Sequence, residues 1–213
     1  EKNSFLLEMK KEQQTKAISR ILEKNHIRNA VICSKEMCFA LMGISINDTL
    51  LDIIVNDMIQ KTVEINNCAC SAIISNPLSD YLKLADTYQK LKEGFHIRMI
   101  RKQQWQCIFL DELQYDRIML HISEDTEVHQ FIRCKLGPLV EYDRAHDTQL
   151  LETLEALIQN HNSRKLAAES LFLHRNTMVH RINKIEEVLH CSLDDTEIME
   201  QLEFAIKMKM YAH

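Results

Sequence analysis

Apolar side chains recur at helical spacing in the last third of the chain, and their longest stripe predicts one well-defined helix. The stripe is spaced i, i+4, i+7 and i+11, so its members share one face of a helix over about 175–189. It consists of Met178, Ile182, Ile185 and Leu189. We expect the opposite, polar face to lie in solvent, and it carries Arg175, Asn176, His180, Arg181, Asn183 and Lys184.

A shorter helix is predicted just ahead of this one. Asn162 or Ser163 can cap it, and it contains the small residues Ala167 and Ala168. Small side chains allow two helices to cross closely, and a short break at 172–173 separates this helix from the next. A short helix, a tight turn and an amphipathic helix form the helix-turn-helix layout.

The first half of the chain mixes helical and strand patterns. Short apolar runs at 30–33 and 38–42 predict a β-hairpin. Asn76 and Pro77 are expected to open a helix that Gly94 ends. The full predicted order is a helix at 5–25, the hairpin, a helix at 48–63, a strand at 68–74, a helix at 76–94 and a strand at 106–110. Alternation of strands with helices predicts a layered α/β domain.

From residue 124 onward the pattern is helical, with a predicted break at Gly137 and Pro138 and another at 142–147. A further helix follows, which Asp147 or Thr148 can cap. Its inner face consists of Leu150, Leu151, Leu154, Leu157 and Ile158.

These patterns predict an α+β protein with two domains. We expect an α/β layered regulatory or dimerisation domain over 1–122 and a helical linker over 123–146. An all-α helix-turn-helix domain is expected over 147–213.

Charge is distributed unevenly along the chain. The formal net charge of the 213 residues is −5, which by itself argues against nucleic-acid binding. Residues 161–184, however, contain five basic residues and one acid, whereas 186–203 contains seven acids and no Lys or Arg. The acidic excess therefore lies beside the polar face of the helix predicted over about 175–189 and not on it.

The polar face of the helix predicted over about 175–189 carries side chains suited to contacting DNA bases. Arg forms bidentate hydrogen bonds with guanine, Asn does so with adenine, and Thr contacts a phosphate or a thymine methyl group. The first turn of a recognition helix makes most base contacts, and the start of the preceding helix suits a phosphate. The predicted DNA-binding residues are Ser163, Arg164, Lys165, His174, Arg175, Asn176, Thr177, His180, Arg181 and Lys184.

Other functional classes have little support in the sequence. No Ser/His/Asp, Walker or Rossmann pattern is present, so we expect no enzymatic activity, no catalytic residue and no cofactor. Seven cysteines without an export signal indicate reduced thiols in the cytoplasm. Cys68 and Cys70 would share one strand face, but without a CxxC pair no metal site is expected. No apolar run is long enough to cross a bilayer, so no membrane partner is predicted.

The residues around the turn resemble those of a known family. The stretch 171–177, followed by 181–187, is similar to the C-terminal helix-turn-helix of the PucR/CdaR family, bacterial regulators of purine catabolism and sugar-diacid use. The resemblance covers about residues 134–210 and implies DNA binding. The sequence departs from the family pattern at Met178, where Leu is common, at His180, where Tyr is usual, and at His190, near a usual Gly.

The same resemblance implies that the preceding domain is a GGDEF-like fold that has lost its cyclase motif. The hairpin turn at 34–38 is where the GG[DE]EF loop would lie, and the first strand and helix of the fold are expected to be missing. This turn has no glycine pair and only Glu36 as an acid. A cyclase needs a cluster of carboxylates for Mg²⁺, so we predict no cyclase activity.

The sequence thus predicts a bacterial, cytoplasmic, sequence-specific transcription regulator of the PucR/CdaR type that controls a catabolic operon. The expected partner is double-stranded DNA, and homodimers are expected because one short recognition helix reads too few bases. The chain begins without Met, and we expect a region ahead of residue 1 to sense a small-molecule inducer. The alternative is a protein-interaction module in which the helix-turn-helix is structural and binds no DNA.

Overall fold

The computed structural model describes residues 2–34, 37–43, 48–101 and 106–212. Glu36 lies outside the described residues. Within them the helices are α1 (Lys2–Lys24), α2 (Asp48–Asn66), α3 (Leu84–Arg101), α4 (Gln114–Ser123), α5 (Thr126–His146), α6 (Leu150–Gln159), α7 (Arg164–Ser170), α8 (Arg175–Leu189) and α9 (Thr196–Tyr211). The strands are β1 (Arg28–Cys33), β2 (Cys38–Gly43), β3 (Ala72–Ile74) and β4 (Cys107–Phe109), and 3-10 turns span Tyr81–Lys83 and Leu110–Leu113.

The described strands form two separate pairs instead of one layered sheet. β1 and β2 form the predicted antiparallel hairpin, in which Arg28 lies opposite Gly43 and Cys33 opposite Cys38. β3 and β4 pair in parallel over three residues each. The fold is therefore α+β and mostly helical, with little sheet.

The prediction for residues 68–94 is wrong in three details. β3 is shorter than predicted and leaves Cys68 and Cys70 ahead of the strand, so the argument that they share a strand face does not hold. The helix begins at Leu84 after a 3-10 turn capped by Asp80, whose side chain accepts from the Leu82 N–H at 2.9 Å. It continues through Gly94 to Arg101.

Helix α5 runs without interruption through Gly137 and Pro138, where the sequence predicts a break. A proline inside a helix costs about 3 kcal/mol because it removes a backbone hydrogen bond. The flanking Leu136 and Leu139 are 2% and 0% exposed in the core of the second unit described below. Burial of these side chains favours the continuous helix and offsets the proline.

The described residues form two compact units, and α3 contributes to both. The first unit lies within 1–92 and 103–112. In it, α1, α2 and the hairpin pack together. Its core is formed by Ile18, Leu22, Ile27 and Ile54, with Val31, Ala40, Met42 and Met58 partly buried against them.

The second unit lies within 93–102 and 113–213 and contains one large core. Helices α5 to α9 contribute most of its buried side chains, among them Leu139, Leu154, Ile182, Ile185 and Ala205, which are fully buried. No helix in the described part of the chain is long and apolar enough to cross a membrane.

A buried polar cluster joins α3, α4 and α9 within this second unit. Arg101 Nη1 donates to both carboxylate oxygens of Asp116, at 3.0 and 2.9 Å. The Tyr211 hydroxyl donates to Asp116 Oδ1. Burial and this carboxylate together raise the pKa of the Tyr211 phenol, which therefore stays protonated and remains a donor.

Candidate nucleic-acid interface

Helices α7 and α8 and the turn between them form the predicted helix-turn-helix. Ala167 and Ala168 on α7 are 0% and 5% exposed, as expected where two helices cross closely. In the turn, the Leu173 N–H donates to the Ala168 carbonyl at 2.8 Å and the Phe172 N–H to the Glu169 carbonyl at 3.1 Å. These bonds close the C-terminal end of α7 and redirect the chain into α8.

Helix α8 spans Arg175–Leu189, which confirms the bounds predicted from its apolar stripe. Met178, Ile182 and Ile185 are buried in the core. At its start, His174 Nδ1 accepts from the Asn176 N–H at 3.3 Å. At its end, His190 adopts the left-handed conformation with φ of 52° that a glycine usually supplies.

The first turn of α8 presents free polar side chains to solvent. Arg175, Asn176 and Thr177 are exposed, and so is His180 one turn further on. Within the described part of the chain, no hydrogen bond or ion pair engages any of these four side chains. Their hydrogen-bond donors and acceptors are thus available to another molecule. Because all four residues belong to α8, the helix fixes the spacing of their backbone positions.

Two basic residues of α8 lie closer to the protein than predicted. Arg181 is half-buried and donates to Thr153 Oγ1 at 3.1 Å and to Gln149 Oε1 at 3.3 Å. Lys184 is also half-buried, donates to Glu187 at 2.9 Å and lies 5.2 Å from the ring centre of Tyr142. The expectation that both side chains extend freely into solvent is wrong, because they fasten α8 to α5 and α6.

The start of α7 carries three of the predicted residues. Ser163 caps the helix by accepting from the Leu166 N–H at 3.4 Å. The Arg164 guanidinium is held by Asp194 at 2.8 Å. The Lys165 side chain is 85% exposed and reaches Glu169 only at 4.0 Å. Lys165 is therefore the most available cation of this helix.

Asp143, and not Asp147 or Thr148, caps α6. Its carboxylate accepts from the Leu150 N–H at 2.8 Å, from the Leu151 N–H at 2.9 Å and from Thr148 Oγ1 at 2.6 Å. Burial alone would raise the pKa of Asp143, but these three hydrogen bonds and the nearby Arg181 lower it overall. Asp143 thus anchors α6, against which Arg181 holds α8.

Replacing Asp143 with Ala is expected to lower the free energy of unfolding at pH 7 by about 1–2 kcal/mol, as for other lost helix caps. The folded-state pKa lies below the ordinary value of 3.8. The stabilisation is therefore present above pH 3.8 and is lost as the pH falls through the folded-state pKa. Urea unfolding followed by circular dichroism at several pH values measures the difference between variant and parent.

The matched control is Asp147→Asn, because Asp147 is the acid predicted from sequence to be the cap. Asp147 has a φ of 52°, which Asn tolerates well. Its side chain accepts no hydrogen bond from the described residues. We expect parent stability for this variant. Equal losses for both variants, or a loss with Asp143→Ala that persists undiminished in acid, would show that the Asp143 carboxylate is not the cap.

Phe172 is a surface feature that the sequence analysis did not identify. It lies in the turn just before α8, is 97% exposed and has a φ of 53°, an unfavourable conformation for a non-glycine residue. The sequence signal was an aromatic residue inside a predicted tight turn, where small or polar residues are usual. Phe172 stands three residues before Arg175 in the chain and adds an exposed apolar side chain to the turn that leads into α8.

Comparison with known proteins supports the assignment of α7 and α8 as a helix-turn-helix. Residues 150–208 match the family model of the PucR C-terminal helix-turn-helix domain, which includes α6, α7, α8 and most of α9. The match confirms the helix-turn-helix and the resemblance of this segment to PucR-type regulators.

Two relatives from Bacillus subtilis (strain 168) are also similar to the chain. The proline-responsive transcriptional activator PutR is 31% identical over 130 residues, which cover 61% of this chain and 32% of PutR. The purine catabolism regulatory protein is 32% identical over 91 residues, which cover 43% of this chain and 17% of that protein. The chain therefore spans a third or less of the length of these relatives, both of which are named as regulators.

Proposed function

We propose that this chain is a sequence-specific DNA-binding regulator of catabolic genes and that α8 is its recognition helix. The observation that carries the proposal is the first turn of α8, where Arg175, Asn176 and Thr177 are exposed and unengaged while Met178 is 1% exposed in the core. The match to the PucR-type domain and the names of the two relatives support the same function.

In this proposal α8 enters the major groove with its N-terminal turn foremost. Arg175 forks onto guanine and Asn176 onto adenine, and Thr177 contacts a phosphate or a thymine methyl group. His174 and His180 flank these residues on the same helix and border the groove. The Phe172 ring lies against the sugars or a thymine methyl group at the groove edge.

The remaining predicted residues divide into two roles. Lys165 contacts a phosphate directly, and Ser163 and Arg164 place the start of α7 near the backbone of the duplex. Arg181 and Lys184 contribute positive charge to the site, but the hydrogen bonds of Arg181 to Gln149 and Thr153 and the contact of Lys184 with the Tyr142 ring make them positioning residues for α8.

Replacing Lys165 with Gln is expected to weaken binding to all DNA sequences alike. The plot of log affinity against log salt concentration should become shallower by about 0.9 for each phosphate that the variant no longer neutralises. Fluorescence anisotropy titrations at several salt concentrations measure the slope. The matched control is Lys207→Gln on α9, which removes the same charge from a residue paired with Glu203 on its own helix. An unchanged slope with Lys165→Gln would show that Lys165 contacts no phosphate.

Selection of bound sequences from random DNA tests the proposed function as a whole. Because one recognition helix reads few bases, we propose that the chain acts as a homodimer on two half-sites about one helical turn apart. The expected result is an enriched, two-fold symmetric sequence with that spacing. No enrichment, together with an affinity that does not depend on salt, would favour the interaction-module alternative.

For the first 122 residues we propose a regulatory or dimerisation role and a degenerate GGDEF-like fold. The support is the order of hairpin, helix, strand, helix and strand in the described residues. We also propose that the protein acts in the cytoplasm and that a metabolite alters its activity on DNA.

A further inference from the structure

A pair of cysteines lies across the hairpin of the first unit, far in sequence from the proposed DNA-binding surface. Cys33 ends β1 and Cys38 begins β2, and the strand register places them directly opposite one another. The Ser34 N–H donates to the Met37 carbonyl at 2.7 Å, so residues 34 and 37 are the hydrogen-bonded pair that closes the turn.

The position of this closing pair determines the geometry of the two cysteines. Hydrogen-bonded and non-hydrogen-bonded pairs alternate along an antiparallel ladder, so Cys33 and Cys38 form a non-hydrogen-bonded pair. In such pairs the Cα atoms are about 4.5 Å apart and the side chains approach most closely. This separation falls within the range of about 4.4–6.8 Å that a disulfide requires.

The two thiols are already in contact. The Cys33 and Cys38 sulfur atoms are 2.6 Å apart, closer than any ordinary non-bonded approach. Both side chains are half-buried, so each remains partly exposed to solvent. A strand pair that holds the sulfurs together in the reduced state needs little rearrangement to join them.

The pair also contains a reactive thiol. The hydrogen bond with Cys38 lowers the pKa of Cys33 to about 7, against the opposing effect of burial. The same hydrogen bond, together with burial, raises the pKa of Cys38. Cys33 therefore loses its proton more readily than an ordinary thiol, and the thiolate is the nucleophilic form in disulfide exchange.

We propose that Cys33 and Cys38 form a reversible disulfide by exchange with low-molecular-weight disulfides, which makes the hairpin a redox-modifiable site. The Cys33 thiolate attacks one sulfur of the small disulfide and releases one thiolate, leaving a mixed disulfide. Cys38 loses its proton to solvent, attacks the Cys33 sulfur and releases the second thiolate. One protein S–S bond forms, and the small disulfide is reduced to two thiols.

The bond would restrain the end of the hairpin whose inner residues pack on α1. Val31, Cys38, Ala40 and Met42 are partly buried against the core of the first unit, to which α1 contributes Ile18 and Leu22. Oxidation therefore stiffens an element of the first unit without touching the residues proposed to bind DNA. The proposal rests on the hairpin alone and does not depend on the proposed function.

Thiol mapping of the full chain tests the proposal. The native protein is equilibrated with oxidised glutathione, the remaining thiols are alkylated, and the digested peptides are identified by mass. The expected result is one cross-linked species that contains Cys33 and Cys38 with two hydrogens removed, which reduced glutathione reverses. Recovery of both cysteines in alkylated form, or their bonding mainly to other cysteines, would overturn it.

Two variants make the outcome specific. In Cys38→Ser the resolving thiol is absent, so Cys33 should accumulate as the mixed disulfide with glutathione. In the control Cys68→Ser, which removes an exposed thiol of the same unit, the Cys33–Cys38 bond should form as in the parent. Absence of the mixed disulfide in a folded Cys38→Ser chain, judged by circular dichroism, would show that Cys33 does not begin the exchange.

Discussion

The Arg175→Ala variant is expected to bind the selected DNA site about five- to 150-fold more weakly than the parent, a loss of about 1–3 kcal/mol. Arg175 is exposed at the first position of α8, and no ion pair within the described residues engages its guanidinium. A free guanidinium on a fixed helix forks onto a guanine without first breaking an internal hydrogen bond. Its removal should also relax the preference at that one base.

Anisotropy titrations with the selected site and with a scrambled duplex, at equal salt, measure the affinity and the specificity separately. Because the Arg175 side chain has no partner within the described residues, the thermal stability of the variant should match that of the parent. Asn176→Ala should have a similar effect at a neighbouring base, since its exposed amide is equally free.

The matched control is Arg133→Ala on α5, which removes an exposed positive charge from the same unit outside the helix-turn-helix. It should lower affinity for both duplexes slightly and leave base preference unchanged. If Arg175→Ala retained parent affinity and enriched the same sequence, α8 would not be the recognition helix. The selection experiment alone would then decide whether another surface binds DNA.

Replacing Asp116 with Ala should reduce the free energy of unfolding of the second unit by about 3 kcal/mol. The Asp116 side chain is 4% exposed and joins Arg101 of α3 to Tyr211 of α9. Its loss leaves the guanidinium without its carboxylate and the Tyr211 hydroxyl without its acceptor. The Arg101 side chain is 35% exposed and can turn towards water, which keeps the loss at the low end of the range for broken buried pairs.

Urea denaturation followed by circular dichroism measures this loss. Asp116→Asn keeps an oxygen for the tyrosine hydroxyl and should therefore be less destabilised than Asp116→Ala. The control Asp194→Ala removes a carboxylate that is 80% exposed and paired with Arg164. It should cost no more than about 1 kcal/mol, as exposed pairs do. Equal losses for Asp116→Ala and Asp194→Ala would show that the buried cluster does not fasten α4 to α9.

The elements that the sequence predicted well are those whose signal is local. The bounds of α8 follow from a stripe of four apolar residues, and the hairpin follows from two apolar runs around a short turn. Ala167 and Ala168 indicated a close helix crossing because their size alone determines how near two helices come. The chemistry of Arg175 and Asn176 is likewise a property of the residues themselves.

The hydrogen-bond partners could not be predicted, because they belong to neighbouring elements whose packing the local pattern does not show. The sequence offers Asp147 and Thr148 next to α6, but Asp143 reaches across from the end of α5. Arg181 appears free on a helical projection, yet Gln149 and Thr153 are within its reach once α6 and α8 have packed. A projection of one helix contains no information about the acceptors on its neighbours.

The amino-acid order alone was enough to establish a C-terminal helix-turn-helix with a basic, amide-bearing face. Helical periodicity and side-chain chemistry are local properties that do not depend on contacts with other elements. Which of those cations remain free, and whether α5 continues through Pro138, depended on the packed structure. The same is true of the contact between Cys33 and Cys38. Each of these outcomes arises from packing between separate elements, whose burial and hydrogen bonds outweigh local preference.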